Sequence, residues 1–84
     1  MTSRQQLGEE AIQEMVARGE VPTPTKVCEA MGVKGHSING RLQRFRVGLM
    51  TEAGFFRIYS SYGFNARWCP PGTEIPEGWT RSAV

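Results

Sequence analysis

The chain has no aspartate, only one histidine (His36) and only two cysteines (Cys28 and Cys69) among its 84 residues. A zinc site usually needs four His or Cys ligands at short paired spacings, so we expect no metal site and two reduced thiols. The sequence also lacks a P-loop, a glycine-rich dinucleotide turn and a nucleophile elbow. It therefore predicts a protein that is not an enzyme, with no catalytic residues and no cofactor.

Long apolar runs are missing as well. None approaches the roughly 20 residues that a membrane-spanning helix requires. Residues 1–6 have no apolar block behind them of the kind that marks a secretion signal. We therefore expect a cytoplasmic protein without a membrane partner, and the length suits one small domain.

The charge is distributed unevenly, although the net charge is only +2. Residues 32–68 contain six basic side chains and one acidic side chain. Residues 1–31 contain three basic and five acidic side chains. A polyanion would therefore bind most favourably to the middle segment, although such a charge cluster is also compatible with an ordinary solvated helix face.

Two helices are predicted in the first part of the chain. An apolar stripe with the helical period predicts a first helix, capped by Thr2 or Ser3 and closed by Gly19. A short second helix begins after Thr23, which is a good N-cap because proline follows it. Gly32 stops this helix.

A third helix is predicted after a tight turn at residues 33–35. It begins at His36 or Ser37 and runs to about Val47, and Gly48 ends it. Its apolar positions are spaced by 4, 3 and 4 residues, which is the helical period: Ile38, Leu42, Phe45 and Leu49.

The remainder of the folded part is predicted to be a small antiparallel hairpin, because β-favouring residues alternate with polar ones. Its strands are Phe56–Tyr59 and Phe64–Trp68, joined by a turn at Ser60–Gly63. A second turn at Thr51–Gly54 would add a short strand at Leu49-Met50. The aromatic residues of this region form either the core of the sheet or a base-stacking platform for single strands.

Residues 23–49 resemble the helix-turn-helix of a winged-helix DNA-binding domain of the small prokaryotic or phage regulator type. Gly32 is the turn glycine and follows the small residue Cys28 by four positions. Ile38 is the apolar residue six positions further on. Gly48-Leu49 matches the pair that closes the recognition helix and enters the first wing strand, with the wing tip at either of the two turns.

The resemblance implies an α+β fold with a three-helix helix-turn-helix core, a small antiparallel β-hairpin wing and an irregular C-terminal tail. Residues 1–68 would form the domain. Residues 69–84 would be a Pro- and Gly-rich tail that either packs on the core, through Ile75 and Trp79, or is disordered.

The resemblance also implies which residues contact DNA. The candidates in the turn and the recognition helix are Lys34, His36, Ser37, Asn39, Gly40, Arg41, Gln43 and Arg44. Asn39, Gln43 and Arg44 are predicted to face base edges, because amide side chains pair with adenine and arginine with guanine. Arg57 and Arg67, on the polar side of the hairpin, are predicted to contact phosphates.

The predicted function is sequence-specific binding of double-stranded DNA by a phage or bacterial transcriptional regulator associated with the nucleoid. Because one small module makes few contacts, regulation would require tandem sites or a homodimer, for which Ile75 and Trp79 are a candidate surface. The alternative is a winged-helix interaction module that binds or inhibits a host or phage protein without contacting DNA.

Overall fold

A computed structural model of the protein describes residues 2–63 and 65–82. Three helices precede a three-stranded antiparallel sheet and a tail, which confirms the α+β class. The elements are α1 (Arg4–Ala17), α2 (Pro24–Met31), α3 (Gly40–Glu52), β1 (Phe56–Ser60), β2 (Ala66–Cys69) and β3 (Trp79–Arg81).

The first two helices begin and end as predicted. Ser3 caps α1 in a capping box with Gln6, in which each side chain accepts a hydrogen bond from the other residue's backbone amide. Thr23 caps α2 by accepting from the backbone amide of Lys26. Gly32 ends α2 in the left-handed region at φ +73°, where a glycine is favoured because it has no Cβ.

The predicted start of the third helix at His36 or Ser37 is wrong, because α3 begins at Gly40. Asn39 is the N-cap, and its Oδ1 accepts a hydrogen bond of 2.8 Å from the backbone amide of Leu42. Asparagine is among the strongest N-cap residues, so this contact fixes the start of the helix. The connection between α2 and α3 therefore spans residues 32–39 and is longer than the tight turn we expected.

The predicted end of that helix at Gly48 is also wrong, since α3 continues to Glu52. A glycine ends a helix when it adopts a left-handed conformation, and Gly48 does not. Leu49 and the fully buried Met50 extend the apolar side of α3. Their burial outweighs the cost of about 1 kcal/mol for an internal glycine. Leu49-Met50 is accordingly helical and not a strand.

A cluster of apolar residues from all three helices forms the main core. Its buried members are Ala11, Ile12, Met15, Val27 and Leu42, and its partly buried members are Val16, Met31, Ile38, Phe45 and Leu49. Helical spacing predicted Leu42, Phe45 and Leu49 among them, whereas Ile38 packs against the core from the connection before α3. The approach of α3 to α1 is close at Gly8, where an added Cβ would lie 2.9 Å from both methyl groups of Leu42.

The sheet contains the predicted hairpin and one strand that was not predicted. β1 lies in the centre and pairs antiparallel with β2 on one side and β3 on the other. The β1–β2 turn follows Ser60, so it is the Ser60–Gly63 turn that forms the hairpin, and Thr51–Gly54 lies at the end of α3. Phe64, which we expected to begin the second strand, lies outside the described residues.

A second, smaller cluster lies on one face of the sheet and consists of Phe56, Ile58 and Cys69, with Trp79 packed against it. Trp79 thus packs onto the folded domain as expected, because β3 brings it there. Ile75 is more exposed, at 38%. Cys28 and Cys69 are both free and buried. Within residues 2–63 and 65–82, no helix combines the length and apolar character needed to cross a membrane.

Replacing each of two helical glycines by alanine should change stability in opposite directions. Gly48→Ala should raise the free energy of unfolding by up to about 1 kcal/mol, because Gly48 lies inside α3 with nothing within 4 Å of an added Cβ. Gly8→Ala should lower it by about 1–3 kcal/mol, because the new methyl group meets the buried Leu42. Urea denaturation followed by circular dichroism measures both.

The two variants serve as controls for each other, since the chemical change is identical. Destabilisation by Gly48→Ala would mean that the helix ends at residue 48 after all. A neutral Gly8→Ala would mean that α1 and α3 do not meet as described.

Candidate functional site

All of the residues that the sequence predicts to contact DNA are exposed. They do not form one continuous helix face, because α3 begins later than expected. Lys34, His36 and Ser37 lie in the connection before α3, and Asn39 and Gly40 lie at its first turn. The remaining residues lie further along α3 and on the hairpin: Arg41, Gln43, Arg44, Arg57 and Arg67.

The connection before α3 is attached to α2 at two points. The His36 ring Nδ1 and the Thr25 hydroxyl form a hydrogen bond of 3.2 Å. The buried Cys28 thiol donates to the backbone carbonyl of Ser37 at 3.3 Å. These contacts position the connection beside α2 and leave the side chain of Lys34 exposed.

The first turn of α3 gives Asn39 a structural role that the sequence analysis missed. Its Oδ1 accepts from Leu42, and its Nδ2 donates to Gln5 Oε1 at 3.4 Å. Both polar groups of the side chain are therefore used inside the protein, and a contact with a base would compete with the helix cap. Arg44 folds back toward this turn, since its Nη1 would lie 3.4 Å from a Cβ on Gly40.

Two stripes of side chains run along α3 on different sides of the helix. Successive helical residues are about 100° apart, so Arg41 and Arg44 share one stripe. Gln43 and Arg46 share another, together with Val47. The second stripe faces the hairpin across a cleft of about 520 Å³, which we call the arginine cleft.

The arginine cleft is lined by three segments of the chain. They are the residues that lead into α2, the Gln43 stripe of α3, and part of strands β1 and β2. Its lining residues are Val21, Thr23, Pro24, Gln43, Arg46, Val47, Arg57, Ala66, Arg67 and Trp68. The cleft thus brings together three predicted contact residues, Gln43, Arg57 and Arg67, and adds Arg46.

Arg46 is the unexpected residue, because it is charged and only 6% exposed. Its Nε donates to Gln43 Oε1 at 3.2 Å, and its Nη1 donates to the carbonyl of Pro22 at 3.4 Å. Its Nη2 makes no hydrogen bond to a described residue. Burial lowers the pKa of the Arg46 guanidinium, and the positive charge of Arg57 lowers it further.

Sequence reasoning missed Arg46, although a signal was present. Leu42, Arg46 and Met50 are spaced by four residues and form the buried positions of α3. An arginine at a buried helix position is rare without a charged partner, so this spacing marks Arg46 as a candidate functional residue.

Arg57 and Arg67 reach the cleft from different sides of the sheet. In the register of the hairpin, Arg57 is opposite Trp68 and Arg67 is opposite Ile58, so the two arginines project from opposite faces. Our expectation that both lie on one polar side is therefore wrong. Arg57 lies about 6 Å from the ring centres of Tyr59 and Trp68, with distances of 6.0 and 5.8 Å. Arg67 lies over Trp79 at 4.6 Å.

No carboxylate balances the charge of the arginine cleft, as its lining residues include no Asp or Glu. In residues 2–63 and 65–82, the ion pairs join Glu20 to Arg18 at 3.3 Å and to Lys26 at 2.8 Å. The hydrogen bond from Lys26 is the main reason that the pKa of Glu20 is lowered. The paired charges thus lie at the junction of α1 and α2, and the cleft arginines have no ion-pair partner among the described residues.

The described part of the chain contains no group of three His, Cys, Asp or Glu side chains that could bind a metal ion. No protein-family model, curated protein or solved structure matches the chain. The basic side chains, and the cleft that several of them line, are therefore the features of the protein that indicate a function.

Arg46→Met should leave the free energy of unfolding within about 1 kcal/mol of the parent value or raise it, because it removes a buried charge that lacks a carboxylate partner. The apolar methionine fills a similar space, and the loss of two hydrogen bonds partly offsets the gain. Leu42→Ala, measured alongside by urea denaturation, should cost about 2–5 kcal/mol through the cavity it leaves. A loss of about 3 kcal/mol or more in Arg46→Met would instead show that Arg46 is needed for folding.

Proposed function

We propose that the protein is a sequence-specific double-stranded DNA-binding protein of the winged-helix type, acting as a small transcriptional regulator. In this proposal it works in the cytoplasm of a prokaryotic cell, associated with the nucleoid. The observation that carries the proposal is the group of basic side chains along α3, the connection before it and the hairpin, none of which forms an ion pair with a described residue.

Unpaired arginines on one part of a small protein favour a polyanionic partner for an electrostatic reason. Each exposed guanidinium attracts phosphate and releases a condensed counterion from DNA when it binds. Arg41, Arg44, Arg57 and Arg67 are exposed, and only Glu52 among residues 32–68 is acidic. DNA therefore meets little opposing charge within this segment.

The arrangement of α3 suggests a division of roles in this proposal. Arg44 and Arg41 form the outward stripe and are the candidates for the major groove, where arginine pairs with guanine. Gln43 lies at the rim of the arginine cleft, next to the hairpin arginines, which would contact phosphates. Asn39 contributes by fixing the start of the helix, so its replacement by alanine would weaken binding partly through lost stability.

The direct test is the binding of fluorescent duplexes, selected from a random pool, followed by anisotropy at several salt concentrations. A DNA-binding protein should lose affinity steeply as salt increases. The symmetry of the selected sequences would reveal whether two copies bind adjacent half-sites. No binding at low salt would contradict the proposal and favour the alternative of a protein-interaction module.

Arg44→Ala should weaken binding to the selected duplex by about 1–3 kcal/mol and reduce discrimination against a scrambled duplex, since a base contact is lost. Arg57→Ala should weaken binding to both duplexes alike and lower the salt slope by about one counterion. Arg4→Ala is the matched control, because it removes an exposed arginine from α1, and it should change neither quantity. Loss of discrimination in Arg57→Ala, without loss in Arg44→Ala, would assign base recognition to the hairpin.

A further inference from the structure

We propose that the arginine cleft is a binding site for a single phosphate group, with Arg46 as its deepest contact. The inference does not require the protein to bind DNA. A free phosphate ester, such as a nucleotide, and a phosphate of a DNA backbone would be recognised by the same side chains.

Arg46 is costly to bury because its charge has no carboxylate partner. The residue as a whole is 6% exposed, so its guanidinium carries a desolvation penalty that an anion beside it would reduce. The described residues provide only neutral acceptors, the Gln43 amide oxygen and the Pro22 carbonyl. An anion bound in the cleft would supply the missing negative charge.

Basic residues from different elements line the cleft. Arg46 from α3 and Arg57 from β1 line it together, and Arg67 from β2 lines it from the opposite face of the sheet, without an acidic residue among the lining residues. Arg57 is near enough to lower the pKa of Arg46, so the two guanidinium groups repel each other. Both groups would attract an anion bound between them, and both would repel a cation.

The arrangement of the donors indicates the form of the anion. Arg46 comes from α3 and Arg57 from β1, so their guanidinium groups approach the cleft from different elements, which suits the oxygens of a tetrahedral phosphate better than the two coplanar oxygens of a carboxylate. Two contacts restrict the free side chains before binding. Arg57 lies near the rings of Tyr59 and Trp68, and Arg67 lies over Trp79. The volume of about 520 Å³ is in the range of small-molecule sites.

The test is a titration of the isotope-labelled protein, followed by NMR chemical shifts at constant ionic strength. The probes are inorganic phosphate, adenosine 5′-monophosphate, malonate and a short duplex DNA. We expect the Trp68 indole and residues 43–47 to shift with phosphate-bearing probes. Malonate binding as tightly as phosphate would overturn the assignment to phosphate.

Three variants assign the binding to the cleft. Arg46→Met should weaken phosphate binding at least about tenfold, since a charge-assisted contact in a poorly solvated site is lost. Arg46→Lys keeps the charge without the planar fork and should fall between Arg46→Met and the parent. Arg4→Met makes the same chemical change on exposed α1 and should leave binding within about twofold of the parent, because its contribution is only long-range and screened. The spectrum of each variant and its urea denaturation confirm that it is folded.

The outcomes separate this proposal from the proposed function. Binding of phosphate or nucleotide that depends on Arg46 supports the cleft, whether or not DNA binds. If only duplex DNA binds, and its binding depends on Arg46, the result supports the cleft and identifies the DNA backbone as the source of the phosphate. No response to any phosphate-bearing probe, or responses to phosphate, nucleotide and duplex that all persist unchanged in Arg46→Met, would overturn the cleft. The second of these results would leave the DNA-binding proposal intact.

Discussion

The contact between α1 and α3 is the constraint on which the rest of the structure depends. Leu42 is fully buried and lies against Gly8, where no side chain separates the two helices. This approach fixes the rotation of α3 about its own axis. Because Leu42 faces α1, Arg41 and Arg44 must point outward, and Arg46, one turn after Leu42, must lie on the buried side. The orientations of the candidate functional residues on α3 thus follow from one packing contact.

At Arg46, folding stability and the proposed ligand binding favour different residues. An 84-residue chain has a limited core, so an unpaired charge at a buried position is a considerable cost. We expect that an apolar residue at that position would also allow α3 to pack. The buried Arg46, together with Arg57 at the same cleft, is the basis for proposing a ligand that supplies negative charge.

The sequence predicted the helical core well and the limits of α3 poorly, for a physical reason. The core positions follow from a period of 3.6 residues, which depends only on spacing along the chain. The ends of α3 depended on whether Asn39 or an earlier residue capped the helix, and on whether Gly48 adopted a left-handed conformation. Each end of the helix is decided by interactions of about 1 kcal/mol, which compete with the burial of apolar side chains elsewhere. β3 was missed because a strand of three residues after a proline-rich segment has no pattern of its own.

By itself, the sequence determined the three-helix and hairpin order, the apolar stripes and the concentration of basic residues between positions 32 and 68. It also indicated Gln43, Arg57 and Arg67 as candidate contacts. Only the tertiary structure decided that these three residues meet Arg46 around one cleft, since they come from different elements and the arginines from opposite faces of a sheet. Local periodicity indicates which side of a helix or strand is apolar. Whether side chains that are distant in the sequence come together depends on how the helices and strands pack.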